Sequence, residues 1–216
     1  FTVLTSLGAK ERLALSFRHM KDDPQNHIRV IPPLLRREVT LHEPYSGDYI
    51  HGYMVNAGFS ENVMKWHRQH PGIPLRFFWD KWEEEPVKRV DNTLSFYQLD
   101  DVEFLRQMAG CKAYASTAGF ESVCEAMYLG KPILMVPAHI EQDCNAYDAE
   151  KSGAGIISSD FNLQQLLEFA KDYHPNRDFV YWVRGAEYTL LNLLESDSSN
   201  YQQVLFNEMY LVEEFI

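Results

Sequence analysis

The chain has 216 residues, a formal net charge of −11 and 45% hydrophobic residues. That is enough apolar material for a large α/β domain with a real core and too much for a disordered chain, while the acidic balance argues against nucleic acid as a partner, because a phosphate backbone needs clustered cations. The three cysteines, Cys111, Cys124 and Cys144, form no CxxC pair and no metal-ligand set and read as reduced thiols of a cytosolic protein, and no apolar run approaches the roughly 20 residues of a membrane span.

In chain order, Lys10 to Met20 reads as a helix with an imperfect apolar pattern, Asp22 to Asn26 as a loop, and Ile28 to Ile31 as a short extended run into Pro32-Pro33. After a turn around Glu43-Pro44, Tyr49 to Val55 reads as a strand. It ends in Asn56-Ala57-Gly58, a small-residue loop before a helix from Ser60 to Gln69. Ligands of open α/β sheets sit at the C-terminal ends of strands, so Asn56 and Gly58 are candidate ligand contacts. Pro74 to Trp79 reads as a second strand and Asp80 to Pro86 as a charged loop. Thr93 to Phe96 is a third strand, running through Tyr97-Gln98-Leu99-Asp100 into a helix over Asp101 to Met108. Asp100-Asp101 is no DxD metal motif and reads as a helix cap.

The most informative stretch is Ala113 to Ala146. An apolar run, Ala113-Tyr114-Ala115, ends in Ser116-Thr117-Ala118-Gly119, and a helical pattern continues to Leu129. Gly130-Lys131-Pro132 stops the helix, and Ile133 to Val136 is short and apolar enough for a strand buried on both faces. This is a βαβ unit, and the fold class it predicts is α/β, a Rossmann-like parallel sheet flanked by helices. A helix N-terminus behind a small-residue turn attracts phosphate, through unpaired N–H groups and the helix dipole. Ser122 lies in the first turn of that helix. Glu125, three residues on, is placed to accept from both hydroxyls of a ribose. Beyond it, a helix runs to Ser152, Gly153-Ala154-Gly155 opens a last strand, Leu163 to Phe169 is an amphipathic helix, and Val180 to Leu194 and Tyr201 to Phe215 read as two further helices.

Thr117-Ala118-Gly119-Phe120, Ser122, Glu125-Ala126, Gly130-Lys131-Pro132, Glu141-Gln142, Asn145-Ala146 and Gly153-Ala154-Gly155 follow one another in an order that resembles the nucleotide-sugar-binding C-terminal domain of GT-B glycosyltransferases, of the kind seen in MurG-like and related bacterial enzymes. The resemblance implies the C-terminal half of a GT-B fold that binds a nucleotide-sugar donor, most often UDP-linked, and needs no metal or other cofactor. It implies that Thr117, Ala118, Gly119, Phe120 and Ser122 surround the diphosphate and that Glu125 holds the ribose. Tyr97, Gln98 and Leu99 would border the nucleobase, and Glu141, Gln142 and Asn145 the sugar hydroxyls. The catalytic base would come from an N-terminal acceptor-binding domain of the same protein, so no catalytic residue is assigned here. The run VIPPLLRREV, Val30 to Val39, resembles the segment joining the two halves, which makes residues 1–30 a leading segment, the tail of that acceptor domain, and residues 31–216 the donor domain; the alternative is a leading helix and an edge strand of the donor domain itself. A chain that opens on Phe1 fits a piece of a longer protein. Peripheral membrane association would come through the acceptor.

The sequence departs from the family pattern at Thr117, where many relatives carry histidine, and at Glu121, where many carry glycine and where a carboxylate repels a diphosphate. The alternatives are a nucleotide-sugar epimerase of the same fold and a non-catalytic Rossmann-like interaction domain. A dehydrogenase is disfavoured because no G-x-G-x-x-G follows a strand. His139 could act as a general base, but loop histidines are commonly no more than exposed side chains.

Overall fold

The computed structural model describes residues 6–81 and 85–195. The described residues divide into two compact units, one formed by residues 6–34 with 181–195, the other by Leu35–Val180.

In the first unit, β1 (Arg12–Leu15) pairs in parallel with β2 (Ile28–Ile31), Arg12 opposite Ile28 and Leu15 opposite Ile31. The helix expected over Lys10 to Met20 is therefore a strand and its approach. Leu13 and Leu15 are two residues apart and both exposed, which is strand spacing, and the Ile28–Ile31 segment offers the ladder partner that a helix would forgo. Asp23 caps the single turn between the strands by accepting from the Asn26 N–H at 3.3 Å. In the same unit Trp182 Nε1 donates to the Ser16 carbonyl at 3.0 Å, and the His19 ring meets the indole edge-on at 5.2 Å.

The larger unit carries, among the described residues, a seven-stranded sheet: β3 (Ile50–Met54), β4 (Leu75–Trp79), β5 (Val87–Arg89), β6 (Leu94–Gln98), β7 (Ala113–Ser116), β8 (Ile133–Met135) and β9 (Gly155–Ile157). Their order is β5-β6-β4-β3-β7-β8-β9. All neighbours are parallel except β5, which runs antiparallel to β6. β5 was not expected. Its residues are all exposed, so no buried face imposes an apolar rhythm, and Lys88 and Arg89 are the charged side chains that protect a sheet edge.

The connecting helices are α1 (Arg37–Thr40), α2 (Ser60–Gln69), α3 (Asp101–Gly110), α4 (Phe120–Tyr128), α5 (Ile140–Lys151), α6 (Leu163–Phe169) and α7 (Arg177–Arg184). Their ends have local causes. Asp100 caps α3, accepting from the Glu103 N–H at 2.8 Å, as the sequence indicated. Gly130 follows α4 and Gly153 follows α5, each with positive φ. At both ends the glycine N–H and the next N–H return to carbonyls of the last turn: Gly130 to Met127 and Lys131 to Ala126, Gly153 to Glu150 and Ala154 to Ala149. This paired closure needs a left-handed residue, which glycine adopts without Cβ strain. The expected helix over Val180 to Leu194 is two pieces, α7 and a helix over 186–195, with a turn at Gly185 between them. The helix expected over Tyr201 to Phe215, and Trp82 of the charged loop, lie outside the described residues.

On one face of the sheet Ile50, Phe77, Leu94, Phe96, Ala115 and Leu134 pack against Val63, Trp66, Leu163 and Leu166 of the covering helices. On another side of the larger unit, His51, Phe78 and Tyr114 gather around Phe104 of α3. Because strands buried on both faces lack alternation, β7 and β8 read as short apolar runs in the sequence, while β3 carries His51 and β4 carries Arg76 among their apolar residues. Lys131, at the start of β8, is buried and donates to the carbonyls of Tyr45 at 2.7 Å and Cys111 at 3.0 Å, so its role in the Gly-Lys-Pro motif is to hold the far end of the sheet. Among the described residues no helix is long and apolar enough to cross a membrane.

Candidate donor-binding site

From β3 the chain builds outward through β4 to β6 and β5 on one side, then returns to lay β7, β8 and β9 on the other. The order reverses between β3 and β7, and at such a reversal the two following loops part and leave a crevice above the strand ends. After β3 the loop is Val55-Asn56, and after β7 it is Thr117-Ala118-Gly119.

The two loops are tied together. Thr117 is buried; its N–H donates to the Tyr53 carbonyl at 3.3 Å and its Oγ1 accepts from the Val55 N–H at 3.3 Å. Ala118, also buried, has φ +60, the left-handed region that a residue with a Cβ rarely occupies. Ser116 Oγ accepts from its N–H at 3.1 Å, and its carbonyl receives Asn145 Nδ2 at 3.4 Å. Hydrogen bonds on both sides hold this strained residue in place. Gly119 then occupies the cap position of α4 and, lacking a side chain, leaves the end of the helix accessible. Ser122 Oγ donates back to the Gly119 carbonyl at 3.2 Å. Phe120 and Ser122 are half-buried, and Glu121 is exposed.

Glu125 lies one turn into α4, 4% exposed. Its carboxylate is gripped by Arg36, with Nε 2.6 Å from Oε1 and Nη2 3.1 Å from Oε2, while Arg36 Nη1 reaches Asp101 Oδ1 at 3.2 Å. Burial pushes the Glu125 carboxyl above its ordinary range, and the guanidinium opposes that push. A doubled arginine after two prolines is the signal Arg36 left in the sequence, and its partner is 89 residues away.

The remaining candidates surround this turn. Asn56, exposed, accepts from the Gly58 N–H at 2.8 Å and so caps the single turn Ala57–Phe59. Tyr97 and Gln98 belong to β6 rather than to the loop after it; Tyr97 stacks on Phe78 at 5.1 Å, Gln98 Nε2 reaches the Lys81 carbonyl at 3.3 Å, and Leu99, in the loop, is 40% exposed. On α5, Glu141 is exposed, Asn145 is half-buried, and buried Gln142 turns back so that Oε1 accepts from the Ala138 N–H at 2.8 Å. His139 sits exposed at the cap of α5. Cys111 and Cys124 are buried free thiols, Cys111 pushed up to about 12 by desolvation, and Cys144 is exposed. Among the described residues no group of three or more His, Cys, Asp or Glu is placed to hold a metal ion.

The family model described as glycosyl transferase family 1 matches residues 8–173. The chain belongs to glycosyl transferase family 1.

A Caenorhabditis elegans protein named as a UDP-glucuronosyltransferase, ugt-48, is 26% identical over 105 residues, which are 48% of this chain and 20% of that protein. Among solved structures, the glycotransferase of kitacinnamycin superimposes with a TM-score of 0.60 at 14% identity, over 87% of this chain and 55% of that one. CalG4, the calicheamicin glycosyltransferase, gives 0.57 at 14% identity, over 79% and 48%. Arabidopsis thaliana UGT89C1, complexed with quercetin, gives 0.56 at 15%, over 80% and 51%. At these identities the superpositions establish the fold, an α/β parallel sheet flanked by helices as in GT-B glycosyltransferases. This family 1 chain spans 55% of the kitacinnamycin enzyme and a fifth of the nematode protein.

Proposed function

We propose that the chain is the donor-binding half of a glycosyltransferase. It holds a nucleotide-sugar, UDP-linked, across the crevice above β3 and β7 for transfer to an acceptor carried by an N-terminal domain of the same protein. The observation that carries this reading is the accessible N-terminus of α4 at the strand-order reversal, with the Glu125 carboxylate one turn behind it.

In this reading the diphosphate lies against the N–H groups of residues 119 to 122, the Ala118 N–H being taken by Ser116 Oγ. The helix dipole and those donors stabilise the negative charge that builds on the leaving diphosphate as the bond to the sugar breaks, so the chemistry asks for no metal. Glu125 accepts from the ribose hydroxyls, Leu99 and Gln98 flank the base, and Glu141, Gln142 and Asn145 border the sugar. Thr117, already bonded to Val55, shapes the turn where a histidine would contact the ligand. The catalytic base and any membrane-peripheral attachment through the acceptor belong to the other half of a cytoplasmic enzyme.

The test is calorimetric titration with UDP, ADP and GDP, with and without Mg²⁺, beside Glu125→Ala. UDP is expected to bind without metal and to weaken at least about tenfold in the variant, the loss of hydrogen bonds to a charged acceptor. A chain that binds none of the three nucleotides overturns the reading.

Glu121 supplies an independent check. Its charge favours the helix end but opposes a diphosphate there; a unit charge pair about 4 Å apart in water is worth about 1 kcal/mol. Glu121→Gln is expected to tighten UDP two- to fivefold at low salt, with the gain shrinking as salt is raised. An unchanged Kd at low salt would place the diphosphate elsewhere.

A further inference from the structure

We propose that Tyr114 is a positioning residue for phosphate recognition: its buried hydroxyl is held in reserve for Ser122, and donates to Ser122 Oγ when that serine turns from the main chain to a phosphate oxygen of the bound nucleotide. The inference rests on the donor-binding reading above, with the diphosphate at the N-terminus of α4.

Tyr114 lies in β7, two residues before the end of the strand, and is fully buried. Its ring stacks on His51 at 5.3 Å and meets Phe104 edge-on at 6.4 Å, so packing fixes where the hydroxyl points. The hydroxyl is buried as well, and among the described residues it has no partner at hydrogen-bonding distance and angle. A phenylalanine would fill the same space without the cost of a buried, unpaired O–H. The groups that face this hydroxyl are the hydroxyls of Ser116 and Ser122, with the charge of Glu125 and the Tyr53 phenol nearby. The orphan is thus aimed at the first turn of the helix whose accessible end the diphosphate approaches.

Of the two serines, Ser122 is the one able to turn. Ser116 Oγ accepts from the Ala118 N–H at 3.1 Å and so holds the left-handed backbone of that residue. Ser122 is half-buried and donates to the Gly119 carbonyl at 3.2 Å, a bond made within its own turn of chain. A serine hydroxyl has one proton to give and two lone pairs to accept with. When Ser122 gives its proton to a phosphate oxygen, it leaves the Gly119 carbonyl and its oxygen is open to the Tyr114 O–H. Tyr114 then donates to Ser122, and Ser122 donates to the phosphate. Two bonds running in one direction polarise each other, which strengthens the donor that meets the negative charge. Binding thus satisfies a buried group that the free protein leaves unpaired, and Tyr114 adds to affinity without touching the ligand.

The experiment is a double-mutant cycle on the Kd of UDP with the wild type, Tyr114→Phe, Ser122→Ala and the double variant, alongside urea unfolding of each without ligand. Tyr114→Phe should weaken UDP about three- to tenfold, the net worth of one hydrogen bond, while the free variant unfolds at the same urea concentration as the wild type or a higher one. In the Ser122→Ala background the same change should alter the Kd by less than about twofold. A merely structural tyrosine would lose stability and affinity together, and would do so whether or not Ser122 is present. A wild-type Kd in Tyr114→Phe overturns the proposal, as does an equal loss in both backgrounds. A Tyr114→Phe chain that unfolds at lower urea, or does not fold, overturns it too, because the hydroxyl would then be bonded in the free protein. If the wild type binds UDP and Ser122→Ala binds it as tightly, the diphosphate does not meet Ser122, and the proposal falls while the donor-binding reading stands. A wild type that binds no UDP sinks the donor-binding reading itself and the proposal with it.

Discussion

Between pH 7 and pH 4.5 the protein is expected to lose about 2–3 kcal/mol of stability through one side chain, His51. This residue of β3 is fully buried, packed flat against Tyr114 at 5.3 Å and edge-on to Phe78 and Phe104. Among the described residues neither ring nitrogen has a partner at hydrogen-bonding distance and angle. Desolvation is the largest influence on it and holds its pKa down at about 3; the charges of Arg76 and Lys131 push the same way, while the charge of Glu103 and the main chain at Arg76 oppose them. The folded chain therefore keeps His51 neutral while the unfolded chain takes up a proton below its ordinary value of 6.5. Stability is complete above that value and is lost as pH falls towards 3, at about 1.4 kcal/mol per pH unit. Glu125 works in the opposite sense, because burial raises its folded pKa and acid then favours the folded form. The measurement is denaturant unfolding from pH 4.5 to 8 for the wild type and His51→Phe, in which contributions common to both cancel. The phenylalanine variant should be the more stable, by a margin that widens as pH falls. Parallel curves for the two proteins would mean that His51 is protonated or partnered in the folded state.

The second large effect is expected at Gly155. This residue opens β9 opposite Ile133 of β8, and a Cβ built on it would fall onto the Ile133 carbonyl oxygen, a backbone atom with no rotamer to retreat into. Gly155→Ala should cost about 3 kcal/mol by prying the edge strand from its neighbour. Gly153, two residues earlier, is the matched control. Nothing lies within 4 Å of its missing Cβ, but its φ is +74, so Gly153→Ala should cost about 1 kcal/mol, the strain of a left-handed backbone alone. Urea unfolding of both variants decides the matter. Equal losses, or a larger loss at position 153, would show that β9 has room to shift.

These two glycines mark the boundary between what local sequence and tertiary contact each encode. Gly153 is legible because it follows a helix whose last turn needs a left-handed residue, a requirement set within five residues of chain. Gly155 is legible as part of a motif, yet its reason is a carbonyl 22 residues away. The same divide runs through the helices and strands. The extent of α2 and α6 and the cap of α3 follow from apolar spacing and side-chain chemistry close at hand. Leu13 and Leu15 show their strand spacing only beside their ladder partners Arg29 and Ile31, and β5, an exposed edge, has no buried face to impose a rhythm on its sequence.

By itself the sequence determined the α/β class, the βαβ unit around Thr117–Gly119 and the family, because each is written in local periodicities and in a series of short motifs. Only the tertiary structure decided where the strand order reverses, which residues join across it, and what surrounds each buried polar group. The grip of Arg36 on Glu125 and the unpartnered ring of His51 come from side chains tens of residues apart that meet only once the sheet has closed. The strength of a charge or hydrogen bond is set by that company, and no local pattern carries it.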